Sequence, residues 1–75
     1  NQFDAVHLSG IVAFQQGRMP EAVDLLGRAH RLAPKNAPCA LRYGLALTAA
    51  GRSPEAEAPL RTALDGLLAT QRDLQ

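Results

Sequence analysis

Cysteine, aromatic residues and an excess of charge of one sign are scarce in this sequence. A single cysteine, Cys39, excludes an internal disulfide and a cysteine-rich zinc site. Tryptophan is absent, and 8 Lys and Arg against 7 Asp and Glu leave a net charge of +1. That balance predicts no nucleic-acid partner, and no apolar run reaches the ~18 residues that direct insertion into a membrane needs.

The composition that remains is typical of one small folded domain. The chain has 75 residues, of which 47% are hydrophobic and 20% are charged, so we expect a single domain over residues 1–75. No basic segment followed by an apolar one opens the chain, which predicts a cytoplasmic protein without a signal peptide. Because the first residue is Asn1 and not methionine, we expect a fragment of a longer protein.

Residues with catalytic or metal-binding chemistry are few and scattered. His7 and His30 fall on different predicted helices, and neither has a second histidine or a cysteine at ligand spacing, so we predict no metal and no cofactor. Phosphate loops, nucleophile elbows and paired carboxylates are missing, which argues against an enzyme. A helix dipole would lower the pKa of Cys39, but without a histidine partner we interpret this residue as a packing residue.

The second half of the chain repeats the first. Residues 3–36 and 37–70 are identical at eight positions, and the identities cluster around a shared Gly-Arg-x-Pro-Glu-Ala segment. The identical pairs are Gly10/Gly44, Gly17/Gly51, Arg18/Arg52, Pro20/Pro54, Glu21/Glu55, Ala22/Ala56, Leu26/Leu60 and Ala29/Ala63.

Each half of the chain has the pattern of two helices. Apolar residues recur at helical spacing, Gly17 and Gly51 are suited to end the first helix, and Pro20 and Pro54 to begin the second. In the second half we expect a first helix over about residues 38–50 and Ser53 as the N-cap of the next helix. Small residues shared by the halves predict two closely packed antiparallel helices, so about four helices in all.

These residues resemble the tetratricopeptide repeat, a 34-residue helix–turn–helix unit. The resemblance covers residues 3–70, with repeat 1 at about 3–36, repeat 2 at about 37–70, and 71–75 as a helical extension or the start of a further helix. It departs from the family where Val6 and Ala40 replace a large aromatic residue and Leu68 replaces the closing proline. The matching motif residues are Val6, Ser9, Gly10, Ala13, Ala22, Leu26, Ala29 and Pro34, then Ala40, Tyr43, Gly44, Leu47, Ala56, Leu60, Ala63 and Leu68.

The resemblance implies an all-α fold, a right-handed superhelical stack of antiparallel helix pairs. It also implies a scaffold that binds a peptide or protein segment in a concave groove lined by the first helix of each repeat. Helical spacing selects the groove residues, which are largely apolar and favour a hydrophobic guest. The candidates are Asp4, His7, Ile11, Phe14, Gln15, Leu41, Arg42, Leu45 and Thr48, with Leu8, Pro38 and Ala49 on the same face.

Two other functions remain open from the sequence. Two repeats are few for a stable stack, so the leucines of the last helix are candidates for self-association into a homodimer. Alternatively, the chain is the substrate-positioning arm of a larger enzyme, because residues 4–8 resemble the opening of bacterial arrays attached to glycosyltransferase or sulfotransferase domains. The self-association candidates are Leu64, Leu67, Leu68 and Leu74.

Overall fold

Four α-helices make up the part of the chain that the structure, a computed structural model, describes. It describes residues 2–73, with the side chains of residues 2–69, and this part contains no strand. Leu74, one of the self-association candidates, lies outside the described residues. The helices are α1 (Gln2–Gln15), α2 (Met19–Leu32), α3 (Ala37–Ala49) and α4 (Ser53–Asp73).

The turns after α1 and α3 have the same hydrogen-bonded geometry. Gly17 and Gly51 adopt φ angles of 78° and 79°, a left-handed conformation that is strained for residues with a Cβ. After α1, the N–H of Arg18 donates to the carbonyl oxygen of Ala13 over 2.9 Å. The corresponding bond in the second half, from Arg52 to Leu47, measures 2.8 Å. These paired bonds satisfy carbonyls at the helix end and reverse the chain at both places.

The arginine after each of these glycines also supports the start of the next helix. Arg18 forms an ion pair with Glu21 at 3.0 Å, and Arg52 forms one with Glu55 at 2.6 Å. Both pairs are about half exposed, so each stabilises the fold by at most ~1 kcal/mol. The shared Gly-Arg-x-Pro-Glu segment therefore encodes a turn with a fixed direction.

The helix boundaries differ from the expected ones by one residue. Pro20 is the second residue of α2, where a missing N–H is as harmless as at the first because neither N–H has a partner within the helix. Ser53 is the first residue of α4 and not its N-cap. α3 begins at Ala37, because the side chain of Asn36 accepts a hydrogen bond of 2.9 Å from the N–H of Cys39 and caps this end.

Glycines bring the two helices of each hairpin into close contact, as the small residues predicted. A Cβ at Gly10 would lie 2.7 Å from Cδ2 of Leu26, and one at Gly44 would lie 2.5 Å from Cδ2 of Leu60. A Cβ at either position would force the facing leucine to shift, so the missing side chains of Gly10 and Gly44 let α1 pack closely on α2, and α3 on α4. Leu26 is completely buried between the helices, and Leu60 is partly buried and packs on the same core.

The contact between α2 and α3 joins the two hairpins into one stack. Cys39 and Ala46 of α3 are fully buried, and Tyr43 lies between them on the same side of the helix. The Tyr43 ring lies over Gly27, where an added Cβ would be 3.2 Å from the ring carbon Cε1. The ring also packs beside His30, with ring centroids 5.5 Å apart. The arrangement is the all-α stack of antiparallel helix pairs that the sequence predicts.

We predict that Gly44→Val destabilises the protein by ~1–3 kcal/mol, because the added methyl groups overlap Leu60 in a packed seam. The matched control is Ala49→Val, which introduces valine at an exposed position of the same helix and changes stability by at most ~0.5 kcal/mol. Urea unfolding followed by circular dichroism measures both changes. Equal losses for the two variants would contradict a close seam at Gly44.

Candidate functional site

Side chains of α1 and α3 form one continuous surface, because these two helices contact each other as well as α2. We call it the α1–α3 face and define it by Ile11, Leu41 and Leu45. Ile11 is half-buried, whereas Leu41 is exposed and Leu45 is 45% exposed. The polar candidates Asp4, Gln15, Arg42 and Thr48 are also exposed. The surface therefore offers apolar area bordered by polar groups.

Two of the candidate groove residues have other contacts of their own. Phe14 is only partly exposed and packs against the hydrophobic core. The hydroxyl of Thr48 donates a hydrogen bond of 3.0 Å to the carbonyl oxygen of Gly44 in its own helix. Phe14 and Thr48 therefore contribute less to the α1–α3 face than spacing alone suggests.

His7 and Arg42 form an electrostatic link between α1 and α3. Burial of the imidazole lowers the pKa of His7 below its ordinary value of 6.5, and the positive charge of Arg42 lowers it further. The carboxylate of Asp4 acts in the opposite direction. The buried Nε2 of His7 has no hydrogen-bond partner, and the ring packs against Phe3 with centroids 5.1 Å apart. Burial and the charge of Arg42 thus favour the neutral form of His7.

Cys39 is a packing residue, and its pKa moves opposite to the expected direction. Burial raises the pKa of the thiol because the thiolate would lose its hydration. The Sγ atom lies 3.9 Å from the carbonyl oxygen of Leu26, where a thiol is a weak donor. A buried thiol with a raised pKa is a poor nucleophile.

The part of the chain that the structure describes contains neither a cluster of metal-binding side chains nor a helix that could span a membrane. Among these residues, no three His, Cys, Asp or Glu side chains come close enough to hold a metal ion. None of the described helices is both long and apolar enough to cross a membrane.

A second apolar region lies on α4. Leu64 and Leu67 are each 56% exposed, and Leu68 is exposed as well. A cleft of about 670 Å³ runs along the same helix, lined in part by Glu57, Arg61 and Asp65. The sequence pattern identified the leucines but not this cleft. A groove between the side chains of one helix leaves no recognisable motif in the sequence.

The most exposed leucine of the described chain, Leu8, lies on α1. It is 62% exposed, more than any described leucine of α3 or α4. Its spacing places it on the same face of α1 as the groove candidates, and its exposure agrees with that placement. Its equivalent in the second half is Arg42, a charged residue that is also exposed.

We predict that the protein loses stability as the pH falls through 6.5, and that His7 accounts for part of the loss. Because folding lowers the pKa of His7, the unfolded chain binds the proton more tightly than the folded chain does. As the pH falls, protonation therefore stabilises the unfolded state first. The contribution of His7 to the free energy of unfolding is constant above its ordinary pKa. It decreases as the pH falls from that value toward the lowered pKa of the folded state.

The measurement is the free energy of unfolding in urea at about pH 7.5 and about pH 5.5, on either side of the ordinary histidine pKa. The difference between the two pH values should be smaller in His7→Gln than in the unaltered chain. Carboxylates that begin to titrate at the lower pH affect both proteins alike. The same difference in both would show that folding leaves the proton affinity of His7 unchanged.

Comparison with known proteins agrees with this architecture. The family model described as tetratricopeptide repeat matches residues 13–72, which is most of the chain and includes parts of all four helices. No curated protein and no solved structure matches the chain at a significant level. Proteins of this family are protein-interaction scaffolds and are typically not catalysts. By its two helix hairpins, its glycine-containing seams and this match, the chain belongs to the tetratricopeptide repeat family.

Proposed function

We propose that this chain is a non-catalytic scaffold in the cytoplasm whose α1–α3 face binds a hydrophobic peptide or protein segment. The observation that carries the proposal is the exposure of Leu41 and Leu45 on a face that no other described helix covers. Large apolar side chains that remain exposed on a small domain, in one patch bordered by polar groups, are typical of interaction surfaces.

The chemistry of the α1–α3 face favours an apolar guest over an acidic one. Ile11, Leu41 and Leu45 supply the area, and each leucine buried against a partner would contribute ~1.5–3 kcal/mol. Arg42 is the cation whose charge reaches His7, and the neutral His7 beside it supplies no second charge for a carboxylate. An amphipathic helix or an extended hydrophobic segment, aligned by hydrogen bonds to the polar rim, fits these properties.

The test begins with selection of binding peptides from a displayed random library, followed by affinity measurement with the best peptide. We expect Leu45→Ala to weaken its binding about ten-fold or more, since the substitution removes ~2 kcal/mol of buried apolar area. Isothermal titration calorimetry measures the dissociation constant directly.

The matched control is Leu32→Ala, because Leu32 is 49% exposed but lies at the end of α2, away from the α1–α3 face. This variant should change the affinity less than two-fold, about 0.4 kcal/mol. Equal effects of the two substitutions, or a library from which no peptide is enriched, would count against the proposal. Circular dichroism confirms that both variants remain helical.

A further inference from the structure

The stack formed by the two hairpins ends in two surfaces that are related by the internal repeat. Inside the chain, α3 uses Cys39, Tyr43 and Ala46 to pack on α2. The equivalent residues of α1 are Ala5, Ser9 and Val12, and all three are exposed. The first helix therefore presents, uncovered, the same side that the third helix buries.

The outer side of α4 has a cleft that corresponds to the surface of α2 on which α3 packs. On α2, a cleft of about 210 Å³ is lined by Pro20, Val23, Gly27 and Arg31 and is closed on one side by Tyr43. The equivalent residues in the second half are Pro54, Glu57, Arg61 and Asp65, and all four line the cleft of about 670 Å³ on α4. No residue of another described helix lines the cleft on α4, whereas Tyr43 of α3 lines its counterpart on α2.

We propose that a second copy of this chain stacks on α4, with its α1 placed as α3 is placed on α2. The contact is head-to-tail: the open side of α1 from one copy meets the outer side of α4, and the adjoining end of α3, from another. The helix arrangement that this contact requires already occurs once within the chain, between α2 and α3.

Side-chain sizes across this contact are complementary. Within the chain, the large Tyr43 ring fits over Gly27. Between copies, Ser9 takes the place of Tyr43 and Arg61 takes the place of Gly27. The large residue has moved from the incoming helix to the receiving one, so the summed side-chain volume at this point remains similar.

Two exposed leucines also become partners in this arrangement. Within the chain, Arg42 of α3 lies near His7 of α1. The equivalent pair between copies is Leu8 of the incoming copy and Leu41 of the receiving copy. Leu8 is 62% exposed and Leu41 is exposed as well, so the contact replaces a polar pair by burial of two apolar side chains.

The receiving cleft is more polar than its counterpart, which makes the contact reversible. Glu57 stands where α2 has the buried Val23, and Glu57 pairs with Arg61 at 3.8 Å on the exposed surface of α4. Partial desolvation of this pair opposes association. A head-to-tail contact leaves two open ends on every assembly, an uncovered α1 at one and an uncovered α4 at the other, so we expect assemblies that grow with concentration and do not stop at a dimer.

The experiment measures molar mass by light scattering at protein concentrations up to about 1 mM, a range that detects contacts as weak as ~4 kcal/mol. The mean mass should rise above 8.0 kDa with concentration and should not level off at twice that value. Leu8→Glu blocks the open side of α1, and Leu64→Glu blocks the outer side of α4. Each variant alone should remain at 8.0 kDa.

A mixture of the two variants provides the decisive test. Leu8→Glu keeps an intact α4 surface and Leu64→Glu keeps an intact α1 surface, so the mixture should form a 1:1 complex of two chains and nothing larger. Leu32→Glu, a control at a leucine of similar exposure outside the contact, should associate like the unaltered chain. Circular dichroism shows that each variant is folded.

Three results would overturn the inference. They are a constant mass of 8.0 kDa for the unaltered chain, a mass that levels off at a dimer and is insensitive to Leu8→Glu, and the absence of a complex in the mixture. The second result would indicate a symmetric contact through the α4 leucines. The inference is independent of peptide binding, because molar mass alone decides it.

Discussion

The rest of the structure depends on the close approach of the two helices within each hairpin. A hydrogen in place of a side chain at Gly10 and Gly44 lets Leu26 and Leu60 reach the opposite helix backbone. The distance between the helices fixes which side of α1 and α3 remains outside. The turns at Gly17 and Gly51 also have the same conformation, so the chain reverses direction in the same way in both hairpins. The outer sides of α1 and α3 therefore lie in one surface.

The fold could be predicted from the sequence because the repeated residues act over short distances. Gly17 and Arg18 determine a turn through backbone hydrogen bonds, and Gly10 with Leu26 determines a seam within one hairpin. Each of these features needs only a few neighbouring residues and therefore leaves a mark in the pattern. The cap at Asn36 was missed because it rests on one side chain, and a single asparagine has several roles open to it.

The candidate site was less predictable, because helical spacing gives the direction of a side chain but not its depth. Phe14 and Leu45 both lie on the predicted groove face, yet Phe14 is long enough to reach the core while Leu45 stays 45% exposed. Burial also decided the thiol of Cys39, whose pKa is raised by lost hydration despite its place near a helix start. The burial of a side chain depends on which helix packs against it and how closely. The sequence alone gives neither the neighbouring helix nor its distance.

The close contact of Gly10 with Leu26 recurs in the second hairpin as Gly44 with Leu60, but the contact between the hairpins has no such counterpart. Gly27 and Tyr43 fit together at the α2–α3 contact, and neither residue type recurs at the equivalent position of the other half. If Arg61 occupied the position of Gly27, its side chain would fill the space that the Tyr43 ring needs. The contact between hairpins therefore distinguishes one neighbour from another by size, whereas the glycine–leucine contact within a hairpin is the same in both halves. The residues at the contact between hairpins thus determine which hairpin packs on which. The repeated residues determine only the structure of each hairpin.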